Sequence, residues 1–183
     1  MKRACLFIIA IFVFVVSSHA QTTARAEMVK QLLALESALL KEDKQKVASY
    51  FTFPVADESL KLKVEYDGEK ELAIAQLDKP AFLKYYGSII SPGLLGLFKH
   101  LDLSALKSKN EVTKINVPKG KTDFCQYNYE VNLEGEEVKI VYMLNTRDDI
   151  KLGEHDFCPE YAEFWTFEMV KGKLKFKSIE FAG

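Results

Sequence analysis

The chain has 183 residues, with 25 Lys and Arg against 26 Asp and Glu, 48% hydrophobic residues and three cysteines. A net charge of −1 offers no bulk attraction to nucleic acid or to an anionic membrane surface. The apolar content excludes a disordered chain, 5 Pro and 9 Gly are too few for a low-complexity one, and the length suits one compact domain.

The first twenty residues read as an export leader. Lys2 and Arg3 precede an unbroken apolar run from Ala4 to Val16, and Ser17-Ser18-His19-Ala20 supplies the small residues that a signal peptidase requires. The run is shorter than the roughly 20 residues that cross a bilayer, so no stable membrane anchor is expected after cleavage. An uncleaved anchor is the alternative. Cys5 precedes the apolar core and so is not placed as a lipidated cysteine. The expected organisation is a cleaved signal peptide at 1–20 and a single α+β domain at 21–183, periplasmic or secreted. That domain has 163 residues, charge −3 and two cysteines.

From Thr22 to Glu42, Met28, Leu32, Leu35 and Leu39 recur at helical spacing, which predicts a long amphipathic helix. Asp43 can cap a short second helix carrying Val47, Tyr50 and Phe51, stopped near Phe53 by Pro54. Leu60, Leu62, Val64 and Tyr66 alternate with Lys61, Lys63, Glu65 and Asp67, which predicts a half-buried strand. Asp78 with Lys79-Pro80 starts a helix bearing Phe82, Leu83, Tyr86, Ile89 and Ile90, and Ser91-Pro92-Gly93 ends it before a further helix, Leu94 to Leu103.

From Glu111 onward the period is that of strands. A two-residue turn at Glu134-Gly135 would set Val131 against Val138, Tyr129 against Ile140, Tyr127 against Tyr142 and Cys125 against Leu144, gathering the apolar residues on one face. A second turn at Lys171-Gly172 sets Met169 against Leu174 and Phe167 against Phe176. The apolar parity then changes from Phe176 to Ile179, which predicts a β-bulge near Lys177-Ser178. Helices followed by long antiparallel strands make an α+β layout, with helices packed on one face of a curved antiparallel sheet. Cys125 lies within a strand pattern and Cys158 just before another. In an oxidising compartment they can pair across the sheet, the alternative being two separately buried thiols.

Three features together resemble the nuclear transport factor 2-like superfamily. They are the helix pair leading into Phe53-Pro54-Val55, the helix Ala81-Phe82-Leu83-Lys84-Tyr85-Tyr86, and the closing hairpin from Phe164-Trp165-Thr166-Phe167 to Ile179-Glu180-Phe181-Ala182-Gly183. The resemblance implies a cone in which a bent antiparallel sheet wraps a long N-terminal helix. Proteins of that fold include isomerases with a Tyr and Asp pair, dehydratases with His and Asp, and partner-binding modules. Neither catalytic set aligns residue by residue with this chain, so no catalytic role is carried over.

Glu163 precedes Trp165, Phe167 and Met169 at period two, so its carboxylate shares their face. A carboxylate among aromatics loses hydration and suits proton transfer, whereas one at the open end of a strand is solvated or paired with a lysine. Tyr127, Tyr129, Tyr142 and Trp165 would line a hollow cone and grip a small apolar ligand, or else fill the core. The loop from Arg147-Asp148-Asp149 to Glu154-His155-Asp156 places acids beside a histidine. Cation binding or proton transfer by His155 with Asp156 stands against a solvated loop without calcium-loop spacing. His100 is expected at the surface. The Lys173, Lys175 and Lys177 row reads as a solvated strand face. There is no CxxC, GxxxxGK[ST], GxGxxG, HExxH or GxSxG, so no metal or cofactor is expected.

The expected function is therefore an exported non-enzymatic domain that binds a small apolar ligand or a protein partner through its cone pocket or sheet face, with no nucleic-acid partner. The alternative is a small isomerase-, dehydratase- or hydrolase-type enzyme using Glu163 or His155–Asp156 for proton transfer. A homodimer built by sheet packing is a third reading. Whether the curved sheet encloses a cavity with Glu163 at its wall separates them: a filled cone would end both readings of a cone pocket and favour an interaction module.

Overall fold

The computed structural model describes residues 24–66, 76–117, 124–147, 149 and 158–183. The leader at 1–20 and the His155–Asp156 pair lie outside the described residues. Helix α1 (residues 24–40) is followed by α2 (Lys44–Ala48), α3 (Glu58–Tyr66), α4 (Lys79–Lys84), α5 (Tyr86–Ile89), α6 (Pro92–His100) and a 3-10 turn (Leu103–Lys107). Strands β1 (Glu111–Asn116), β2 (Cys125–Glu134), β3 (Glu137–Thr146), β4 (Tyr161–Val170) and β5 (Lys173–Ala182) then form one antiparallel sheet in chain order. The molecule is α+β, a helical layer on a curved five-stranded sheet.

One stripe of α1 supplies Met28, Leu32, Leu35 and Leu39 to the core. They form one apolar cluster with Val131, Ile140, Trp165, Phe167, Phe176 and Ile179 from the inner face of the sheet. Among the described residues the concavity is closely packed beside Trp165, with a void of about 10 Å³ where α1, α2, α6 and the sheet meet. The β5 edge is covered from the helical layer. The amides of Leu174, Phe176 and Ile179 donate to Gln31 Oε1, the Tyr50 carbonyl and Asp57 Oδ2 at 2.7, 2.7 and 3.2 Å.

The helix starts follow their predicted caps. Asp43 accepts from the Lys46 amide and Asp78 from the Ala81 amide, so α2 and α4 begin where expected. The predicted single helix over Phe82–Ile90 is broken at Tyr85 into α4 and α5. The last helix starts at Pro92, capped by Ser91, and stops at His100. The predicted strand over Leu60–Tyr66 is corrected to helix α3. Leu60 and Val64 are separated by four residues and so satisfy the helical as well as the strand period. Asp57 settles the choice by accepting the Leu60 amide at 2.7 Å. Leu60 and Val64 are fully buried, whereas Leu62 is 47% exposed.

The register of the first hairpin is also corrected. Val131 pairs with Ile140, Tyr129 with Tyr142, Tyr127 with Leu144 and Cys125 with Thr146. The turn lies at Gly135-Glu136, one residue later than expected, with Gly135 at φ 61° in its first position. A glycine there adopts positive φ without steric cost. The slip moves each partner by two residues, so every side chain keeps its face. In the second hairpin, Met169 faces Leu174 and Phe167 faces Phe176 as expected, and the pairing Thr166 to Ser178 leaves Lys177 as the bulge residue. Cys125 and Cys158 are joined by a disulfide, with Cα atoms 5.4 Å apart.

The helical reading of α3 separates two leucines that a strand would place together. Leu60→Ala is expected to cost about 2–5 kcal/mol of unfolding free energy and Leu62→Ala under about 0.5 kcal/mol, measured by urea denaturation. Equal losses would favour the strand.

Candidate functional site

Glu163 stands on the inner face of β4, 2% exposed, with both carboxylate oxygens engaged. Oε1 accepts from Lys63 Nζ at 2.6 Å and from the Tyr161 hydroxyl at 3.0 Å. Oε2 accepts from Trp165 Nε1 at 2.9 Å and from the Ser91 hydroxyl at 3.3 Å. A carboxylate offers about four lone-pair sites, so these four donors fill its capacity.

Each donor is positioned by a separate piece of local structure. Tyr161 and Trp165 flank Glu163 at i−2 and i+2 on the same strand, hence on the same face. Lys63 comes from the buried side of α3, the third residue after Leu60, with its side chain 10% exposed. Its ammonium lies 5.2 Å from the centroid of the Trp165 ring and 5.6 Å from that of Phe181, a cationic group lodged over aromatic faces. Ser91 is the N-cap of α6. Its Oγ accepts from the Leu94 amide at 3.2 Å while its hydroxyl donates to Glu163.

Above this cluster lies an open cleft of about 360 Å³, lined by Leu62, Lys63, Ser88, Ser91, Tyr161 and Phe181 together with Gly87 and Pro92. Leu62, Pro92 and Phe181 make the walls apolar. Three of the lining residues are donors to Glu163, so the carboxylate forms the sealed floor and the cleft contacts their outer sides. This size falls within the range of small-molecule sites, of order 300–1,000 Å³.

The expected pocket residues divide. Glu163 and Trp165 come together at the floor. Tyr127, Tyr129 and Tyr142 form a separate three-ring cluster beneath α6, each ring centroid 6.1 to 6.3 Å from the other two. Two glycines let the helix lie on that cluster: a Cβ on Gly93 would stand 2.4 Å from the Tyr142 ring, and one on Gly96 would stand 2.9 Å from the Tyr129 hydroxyl. Tyr142 reaches the site only edge-on, through the ring of Tyr161 at 6.3 Å. His100 is exposed and stacks on the Tyr129 ring of this cluster, with centroids 5.8 Å apart.

Lys63, Ser91 and Tyr161 were not among the expected site residues. Tyr161 has a signal in the sequence, its period-two relation to Glu163. Lys63 was hidden by the strand reading, which puts it on the solvent face. Burial pushes the Tyr161 hydroxyl well above its usual range, and the charge and hydrogen bond of Glu163 push it further. Burial also pushes Tyr142 up to about 12, with Tyr127 and Glu163 adding to the effect. In the loop after β3, Arg147 clasps Asp149 through two hydrogen bonds of 2.9 and 2.8 Å, which holds that carboxyl below its usual range. Among the described residues no group of three or more His, Cys, Asp or Glu is placed to hold a metal ion. No family model, no curated protein and no solved structure matches the chain.

Removing one half of a buried ion pair strands the other. Glu163→Gln is expected to lower unfolding free energy by about 3–5 kcal/mol, and adding Lys63→Met to restore a substantial part of it, measured by denaturant titration at neutral pH. A double variant no more stable than Glu163→Gln would refute the coupling.

The tyrosines also make the fold sensitive to alkali. Above pH about 10 an unfolded chain ionises its tyrosines. Folded Tyr142, and Tyr86 in α5, keep their protons until about 12. The folded state then binds more protons, so stability falls as pH rises through this window. Unfolding free energy should be flat between pH 7 and 9 with respect to these groups and decline from pH 10. Replacing Tyr142 by Phe should make the decline shallower.

Proposed function

We propose that this chain is an exported, non-enzymatic domain that binds one small, largely apolar molecule in the cleft above Glu163. The saturation of Glu163 carries this reading. A general base needs a lone pair facing its substrate and a general acid needs a proton facing it. Glu163 instead accepts four hydrogen bonds, from Lys63, Tyr161, Trp165 and Ser91, and so holds those side chains in place. A fixed polar floor under apolar walls suits recognition, because its groups need no reorganisation on binding. The proton-transfer alternative at Glu163 is therefore the weaker reading.

The long N-terminal helix held in a bent antiparallel sheet supports membership of the nuclear transport factor 2-like superfamily. Export is supported by the basic, apolar and small-residue order of 1–20 and by the Cys125–Cys158 disulfide, which is compatible with an oxidising compartment. Among the described residues no helix is long and apolar enough to cross a membrane.

Native mass spectrometry of the protein purified from its own source tests the reading. One small molecule per chain, lost on denaturation, is expected. A Cβ on Gly87 meets nothing within 4 Å, so Gly87→Phe starts its side chain from open space at the cleft wall. That variant should fold normally and lose the adduct. A chain that carries no small molecule, or an adduct undiminished in Gly87→Phe, would overturn the assignment to this cleft.

A further inference from the structure

Resting on the reading of the cleft as a ligand site, we infer that its ligand is uncharged and presents a hydrogen-bond donor, such as a hydroxyl, to the floor. The inference comes from the direction of the hydrogen bonds. A hydroxyl has one proton and two lone pairs. Tyr161 spends its proton on Glu163 Oε1 and Ser91 spends its proton on Glu163 Oε2, at 3.0 and 3.3 Å. A carboxylate accepts and cannot donate, so both protons stay turned inward. One Ser91 lone pair is taken by the Leu94 amide. What these two hydroxyls have left to offer the cleft is acceptor capacity alone.

Charge points the same way. Lys63 is paired with Glu163 at 2.6 Å and its ammonium lies over the rings of Trp165 and Phe181, so these two opposite charges offset one another. An anionic ligand would be attracted by Lys63 but opposed by the Glu163 carboxylate beneath it, while losing its hydration between Leu62, Pro92 and Phe181. A cation would face the reverse balance. A neutral molecule with an apolar body avoids both penalties, and its donor would be met by lone pairs that otherwise stay unpaired against an apolar ligand.

Calorimetric titration with three probes of similar size decides this: 1-octanol, its isomer heptyl methyl ether, and octanoate. The ether accepts but does not donate, and octanoate is an anion at neutral pH. The alcohol is expected to bind roughly tenfold more tightly than the ether, the worth of one net hydrogen bond, and octanoate no more tightly than the ether. In Tyr161→Phe the alcohol's advantage should shrink several-fold while the affinity for the ether holds, and Gly87→Phe should weaken all three. Ether equal to alcohol, or octanoate tightest, would overturn the donor inference and leave the cleft as a ligand site. Absence of heat from every probe, with the fold shown intact by circular dichroism, would overturn the cleft reading itself and this inference with it.

Discussion

A single buried carboxylate ties the two layers of this protein together. Glu163 belongs to β4, but its partners come from α3, from the cap of α6 and from its own strand. Each partner would be placed a little differently without it. The strand would still pack through Trp165 and Phe167, yet the open ends of α3 and α6 would lose their common fixed point. A buried ion is costly to desolvate and is tolerated only when it is paired and its remaining lone pairs are satisfied. That requirement makes the position of the surrounding donors specific: a displacement of any one exposes the carboxylate to an unmet need.

The same requirement explains why the cleft lies where it does. Among the described residues the concave face of the sheet is occupied by α1 and by the tyrosine cluster beneath α6, with a void of about 10 Å³ beside Trp165. An open cleft remains where α3, α5 and the start of α6 diverge over the end of β4 and β5. There the apolar walls contributed by Leu62, Pro92 and Phe181 meet a polar floor, and no bulky residue fills the gap because Gly87 and Ser88 form one side. Gly93 and Gly96 serve a different need on the next helix, α6: close approach to Tyr142 and Tyr129. Small residues in this layer therefore make room on one side for the sheet and on the other for the cleft.

Much of the architecture was legible along the chain because local rules agreed with the fold. Asp43 and Asp78 cap as their spacing predicts, the bulge at Lys177 follows from a change of parity, and Cys125 meets Cys158. The misreadings share a cause. Leu60 and Val64 fit two periods at once, and nothing within five residues distinguishes them except the cap offered by Asp57. The turn of the first hairpin slid by one residue, the strand pairing by two, because either placement keeps the apolar residues on one face and only the positive φ of Gly135 selects between them. The first error had a cost for the site. Reading α3 as a strand turned Lys63 toward solvent and removed the ion that Glu163 requires.

By itself, the sequence determined composition, class and faces: an α+β domain of near-neutral charge, its apolar residues sorted by period, with Glu163 committed to the buried face of β4. Those properties depend on neighbours within a few residues, where backbone geometry alone decides which side chains point together. The partners of Glu163 are another matter. Lys63 lies 100 residues away and Ser91 lies 72 residues away in the chain. No periodicity reaches across such distances, so only the packing of helix against sheet could decide that this carboxylate is paired, and that a cleft stands open above it.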